Sequence, residues 1–218
     1  MKNEERVSAT RGRLIDAAIN ALSEIGYHRT TFVEVSRRSE LSRGAIHHHF
    51  TSIPDLMTAV TRNISTRVKE SMNERLSAWP PGADTLDSGI DLVWQQMHEP
   101  PFRALNQIRS ALATDNDLKL AVQDDVNSVW EWMQVQARGM LSRSAERNAN
   151  PDSGRPDTVD SALTKLVLSS LCGAACHDFA LGSPPEDPDR ATYLATLKEM
   201  VRRFESAPRE PAAAEASL

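Results

Sequence analysis

Strand periodicity is missing from this chain, glycine is scarce and cysteine nearly absent, and each lack narrows what the protein can be. No segment alternates apolar and polar residues over the length of a strand, and no internal repeat is evident, so an all-α fold is expected. Nine glycines in 218 residues leave no Gly-rich phosphate loop. There is also no nucleophile motif, no His-Glu-x-x-His zinc pattern and no closely paired catalytic carboxylates. The chain is therefore not expected to be an enzyme, and no catalytic residue, cofactor or metal site is assigned. Two cysteines, Cys172 and Cys176, do not make a disulfide framework. No charged-then-apolar leader opens the chain, and no apolar run approaches the roughly 20 residues needed to cross a bilayer. A cytoplasmic protein with no membrane partner is expected.

What is present is enough apolar residue, 40% of the chain, to bury a substantial core. The net charge of −5 hides an asymmetry. Residues 1–56 hold eight of the 25 basic residues, seven of the 30 acidic ones and four of the six histidines. The rest is acidic. A locally basic end on an acidic body suits docking at a specific site better than general attraction to polyanions.

That basic end contains three helix starts within a short stretch. Thr31 followed by Glu34 reads as a capping box, the hydroxyl accepting from an orphan amide and the carboxylate reaching back. Residues 39–41 turn the chain, and Ser42 caps a second short helix over residues 43–50. Ser52, with Pro54 in the first turn and Asp55 behind it, opens a third. Two short helices joined by a tight turn, the second carrying Arg43, His47, His48 and His49, form a helix-turn-helix pattern, whose second helix enters the major groove. Val33, Val35, Leu41, Ile46 and Phe50 are expected to fix the angle between the helices, and small Gly44 and Ala45 to let the backbone approach DNA. Arg43 is placed to bond guanine O6 and N7 or a phosphate. His48 reaches a base edge or a phosphate, while His47 and His49 suit the backbone, as do the hydroxyls of Thr31 and Ser42. Consecutive helical residues point about 100° apart, so the three histidines do not converge on one metal ion.

The helix ending in Gly26-Tyr27, then Thr30-Thr31, then the run from Ser42 to Phe50, resembles the tetracycline-repressor (TetR) family over roughly residues 10–57. The resemblance implies a ligand-responsive DNA-binding regulator, most often a repressor, that binds a palindromic operator as a homodimer. Two departures stand out: His47 replaces a tyrosine and Ile53 a lysine that normally touch phosphate.

Elsewhere the chain reads as helices separated by Pro- and Gly-rich breaks, about nine in all. Residues 1–9 are expected to be loose, either a frayed terminus or part of an arm whose Lys2, Arg6, Arg11 and Arg13 reach a neighbouring groove. A helix over residues 10–25 braces the reading motif. A long helix from Ser52 to about Trp79, roughly 40 Å at 1.5 Å per residue, joins head to body. The expected organisation is a DNA-binding domain over residues 1–52, a ligand-binding and dimerisation domain over 53–206, and a disordered tail over 207–218.

In the body, tryptophans and methionines are candidates to line an apolar effector cavity: Trp94, Met97, Phe102, Trp130 and Met133, with His98, Arg109 and His177 as polar anchors. Each is equally readable as ordinary core, and the family habit is what favours a pocket. The helix near residues 160–181 is apolar on nearly all sides and requires cover on all of them. Leu171, Cys172, Ala175 and Phe179, with Leu197, Val201 and Phe204 of the last helix, are therefore assigned to dimerisation. Cys172 and Cys176, one turn apart with His177 adjacent, form either a thiol or soft-metal site or a close helix crossing. The small residues between them favour the crossing. Two other readings are a DNA-binding or architectural protein without a small-molecule effector, and an all-α enzyme or lipid carrier.

Overall fold

The computed structural model describes residues 2–79, 85–148, 157–182 and 188–206. The described residues form nine α-helices and no strand: α1 (Lys2–Ile25), α2 (Phe32–Ser39), α3 (Arg43–His49), α4 (Ile53–Ser77), α5 (Thr85–His98), α6 (Pro100–Ala111), α7 (Asn116–Asn148), α8 (Asp157–Leu181) and α9 (Pro188–Ser206), with one 3₁₀ turn over Tyr27–Arg29. The expected tail and the Pro-Pro-Gly break at residues 80–82 lie outside the described residues.

Most boundaries follow from local chemistry. Gly26 ends α1 at φ 79°, a left-handed conformation that costs glycine nothing. Thr31, Ser42 and Ser52 each accept from the backbone N–H three residues on. The carboxylate half of the expected boxes differs. Glu34 turns away to Arg37 and Arg38, because the Thr31 N–H already donates to the Arg29 carbonyl. Asp55 reaches Thr51 instead, accepting from its N–H at 2.8 Å. Pro100 and Pro101 do not break the chain before a helix; they occupy the first turn of α6, where a missing N–H falls among orphan donors. Residues 2–9, expected as a loose arm, are the opening turns of α1. Glu4 and Glu5 lie there against the positive dipole end.

One contiguous core runs from Leu14 in α1 to Val201 in α9. In the head, Leu14, Leu22, Val35, Ile46, Phe50 and Leu56 are buried. Val33, expected beside them, is 51% exposed: two positions from Val35 on a helix, it points to the other side. Phe32 packs against the core instead. Leu56, Val60, Ile64, Val68 and Met72 form the buried stripe of α4, which packs on α7, while α1 packs on α6 as well as α2.

Asp115 closes the joint between head and body. Its Oδ1 caps α7 by accepting from Leu118 N–H at 2.9 Å, and its Oδ2 accepts from the Tyr27 hydroxyl at 2.7 Å. Burial, and then this bond, push the Tyr27 hydroxyl's pKa up; the Leu118 N–H and the tyrosine hold the Asp115 carboxyl below its usual range. Tyr27→Phe keeps the ring and loses only the donor. It is expected to lower the unfolding free energy by about 1–2 kcal/mol in urea titration with unchanged helix content; an unchanged midpoint would mean the bond does not hold the joint.

Candidate nucleic-acid interface and body sites

The second helix of the helix-turn-helix, α3, is short but anchored at both ends. Ser42 Oγ accepts from Ala45 N–H at 3.2 Å, and the Phe50 N–H closes on the Ile46 carbonyl at 2.8 Å. Ile46 and Phe50 are buried. The helix period then turns Ser42, Arg43, Gly44, His47 and His48 outward, all exposed, with Ala45 and His49 half-buried. Among the described residues Arg43 makes no ion pair. Thr31, at the start of α2, is exposed while its hydroxyl caps that helix. The eight residues assigned to DNA thus fall on α3, its cap and the start of α2. His47 stands edge-on to Phe32, with ring centroids 5.1 Å apart. The pKa of His49 is lowered by burial, then by His48 and Arg11, so its imidazole favours the neutral form.

The turn before α3 is fixed from three sides. Glu40 takes the left-handed conformation at φ 56°. Ser36 Oγ donates to the Leu41 carbonyl, and Arg13 Nη2 donates to the Ser39 carbonyl at 2.7 Å. Arg11 lies over the Phe50 ring, 5.1 Å from its centroid. Two of the four expected arm cations therefore brace the reading motif.

On the outer side of α2, Glu34 bonds Arg37 at 2.7 and 2.9 Å and Arg38 at 2.6 Å, and Arg38 also reaches Glu24 of α1 at 2.6 Å. Hydrogen bonds from Arg37 and then Arg38 hold the Glu34 carboxyl down to about 2.

The body brings the expected effector residues into two separate groups. In the first, His98 Nδ1 meets the Trp94 carbonyl at 2.9 Å and its Nε2 faces Asp178 at 3.4 Å. Arg190 donates to that same carboxylate at 2.6 and 3.0 Å and lies over Trp94. In the second, Arg109 lies over Trp130 and donates to Cys172 Sγ. Met97, Phe102 and Met133 are plain core; His177 is exposed and joins neither group. Asp178, Arg190 and Asn106 complete these groups and carry no sequence signal beyond their polarity on largely apolar helices.

A small apolar void in the body lies elsewhere. It is lined by Leu86, Gly89, Ile90 and Val93 of α5, Ala137 and Met140 of α7, and Val167, Leu168 and Leu171 of α8, and it measures about 20 Å³. That is room for about one water. A groove of about 470 Å³ between α5 and α9 opens at the surface, lined by Asp87, Asp91, Lys198 and Arg202.

Most residues assigned to dimerisation are covered by the chain's own core. Leu171, Cys172, Ala175, Leu197 and Val201 are buried within the protomer, so their side chains are already covered. Phe179 is half-buried, while Phe204 is 46% exposed. The apolar residues that α8 and α9 leave in solvent are Leu166, Leu181, Met200 and Phe204. On a helix apolar all round, the richest stripe turns to the chain's own core and the remainder faces outward.

A capped, outward-facing short helix set at a tight turn on a helical scaffold defines a helix-turn-helix protein of the kind that reads DNA. Residues 14–60 match the family model of bacterial regulatory proteins, tetR family. The chain is 35% identical to the HTH-type transcriptional regulator BetI of Escherichia coli (strain S88 / ExPEC), over 50% of this chain and 66% of that protein; the chain thus spans just under two thirds of that relative's length. Its fold matches a TetR-family regulator from Agrobacterium tumefaciens with TM-score 0.67 at 15% identity, covering 90% of this chain and 98% of that one. It also matches FadR from Bacillus subtilis, solved in complex with stearoyl-CoA, with TM-score 0.62 at 12% identity, covering 90% and 98%. Among the described residues no helix is long and apolar enough to cross a membrane, and no three metal-ligating side chains cluster.

A folded pKa below the unfolded value means that the Glu34 ion pairs stabilise the head above the unfolded pKa of 4.5 and lose that effect as pH falls toward about 2. Glu34→Gln is expected to lower the urea midpoint at pH 7, with the gap from the parent protein narrowing at pH 4 and below. A gap independent of pH would contradict the assignment.

Proposed function

We propose that this chain is a cytoplasmic transcriptional regulator that binds a palindromic operator as a homodimer through α2 and α3 and is controlled by a small effector. The observation that carries the DNA-binding part is the start of α3. Ser42, Arg43 and Gly44 are exposed there while Ile46 and Phe50 are buried, so a rigid element offers a guanidinium, amides and a positive dipole end to the outside. Arg43 reads guanine or clamps a phosphate; Thr31, Ser42, Gly44, Ala45, His47, His48 and His49 position the helix against the backbone and base edges. Ile53 supplies no side-chain donor, which leaves backbone contacts to the histidines and hydroxyls.

The dimer forms through Leu166, Leu181, Met200 and Phe204, with Phe179 at its edge. Its two-fold axis sets two copies of α3 about 34–36 Å apart or slightly more. The effector is apolar or aromatic, because the internal void is walled by aliphatic side chains and Met140. Entry of such a molecule requires α5, α7 and α8 to part, which is how binding would favour one body conformation over another. A second reading, a DNA-binding regulator without any small-molecule effector, is favoured by the smallness of that void.

The test is selection of bound sequences from random duplex DNA, followed by salt titration of the winner. An inverted repeat with affinity falling steeply in salt is expected, and Arg43→Ala should weaken binding by about 1–3 kcal/mol. No enriched sequence would remove the reading.

A further inference from the structure

Cys172 and Cys176 on α8 take no part in DNA binding. If their small neighbours marked a close helix crossing, Gly173 would lie against another backbone. It is exposed, with nothing within 4 Å of where a Cβ would stand, so within the protomer the crossing explanation fails there. The cysteines' surroundings are polar instead. The two thiols stand one helical turn apart on α8, Cys172 buried and Cys176 half-buried. Arg109 Nη2 of α6 donates to Cys172 Sγ at 3.1 Å, its guanidinium held over the Trp130 ring of α7, 5.4 Å from the centroid. Cys172 Sγ also meets Asn106 Oδ1 at 3.6 Å, while Asn106 Nδ2 is buried with no hydrogen-bond partner. A fixed cation and an idle buried donor beside paired sulfurs stabilise negative charge that a structural cysteine never carries.

We propose that Cys172 and Cys176 form a redox-active dithiol, in which a hydroperoxide oxidises Cys176 and Cys172 then closes an intrahelical disulfide. Cys176 is the half-buried member of the pair and Cys172 the buried one, so the oxidant meets Cys176 first. The neighbouring Cys172 thiol, and then the charge of Arg109, push the Cys176 thiol down, whereas Cys176 and burial push Cys172 up.

The Cys176 thiolate attacks a peroxide oxygen. An S–O bond forms as the O–O bond breaks, and the departing alkoxide or hydroxide takes a proton from water. The Cys172 sulfur then attacks the Cys176 sulfenic sulfur; the S–S bond forms, the S–O bond breaks, and the Cys172 proton leaves with the hydroxyl as water. The sulfurs lose two electrons and the peroxide gains them.

Closure also does mechanical work. Side chains four apart on a helix have Cβ atoms about 5–6 Å apart, and a disulfide needs roughly 3.5–4.5 Å. The turn must therefore tighten, and Gly173 inside it lowers the resistance. Cys172 is drawn away from Asn106 and Arg109, both on α6. Between them in sequence lies Gln107, whose Oε1 would stand 3.1 Å from a Cβ at Gly26 in the head. Oxidation at α8 thus acts on the helix that touches the end of α1. The thiol chemistry stands without the DNA-binding reading; its effect on operator affinity rests on it.

The experiment treats the full chain with hydrogen peroxide and follows intact mass and free thiols, with and without dithiothreitol. The expected result is a loss of two hydrogens per chain with both thiols gone together, reversed by the reductant. Cys172→Ala should instead gain oxygen atoms at Cys176, and Arg109→Gln should slow closure by about tenfold. Oxygen adducts without the two-hydrogen loss, disulfides formed only between chains, or an Arg109→Gln variant that reacts at the parent rate would overturn the proposal. On the selected operator, oxidised protein should change affinity and peroxide-treated Cys176→Ser should not. If no operator is selected, the DNA-binding reading fails while the mass measurement still decides the dithiol.

Discussion

One carboxylate organises the joint between the two ends of this molecule. Asp115 caps α7 with one oxygen and holds the Tyr27 hydroxyl with the other, so the residue that starts the longest helix of the body also fixes the chain just after α1. Around it, Gly26 lies against Gln107 of α6, and α1 and α6 pack along their lengths. On the far side, Arg62 of α4 reaches Asp125 of α7 at 3.0 Å. The head is therefore held by its bracing helix and by the helix that leaves it, and both contacts end on α6 and α7.

This arrangement gives a physical route between body and head that needs no separate hinge. The buried residues run without interruption from α1 through α4 and α6 to α7 and α8. Close-packed interiors shift between discrete arrangements rather than deforming smoothly. A change at the Arg109–Cys172 contact, such as a disulfide tightening α8, bears on α6, the helix on which α1 rests. α3 contributes little to this core beyond Ile46, with Phe50 at its C-cap. It follows the scaffold and does not resist it, which suits an element whose exposed face must be aimed.

The sequence was most legible where the chemistry is local. Thr31, Ser42 and Ser52 cap the helices they were expected to cap, and the apolar repeat of α4 is its buried stripe. Legibility failed where a partner comes from far along the chain. Nothing near His98 announces Asp178, 80 residues away, and nothing near Arg109 announces Cys172, 63 residues away. The effector set consequently divided into two polar groups, and the void appeared among aliphatic residues with no motif. Periodicity also failed on α8, where apolar residues on nearly every side cannot say which stripe a chain buries for itself. In the head, Val33 and Val35 were both counted as core although a helix cannot turn two such neighbours the same way.

The claim on which this account turns is that head and body share one core and unfold together. All four tryptophans lie outside the head, so their fluorescence reports the body while circular dichroism reports every helix. Phe50→Ala, a truncation confined to the head's core, should be measured by both signals in one urea titration. A single shared transition, moved to lower urea by the same amount in each, is the predicted result. A dichroism curve that splits in two, with the tryptophan midpoint left where it stands in the parent protein, would contradict the claim.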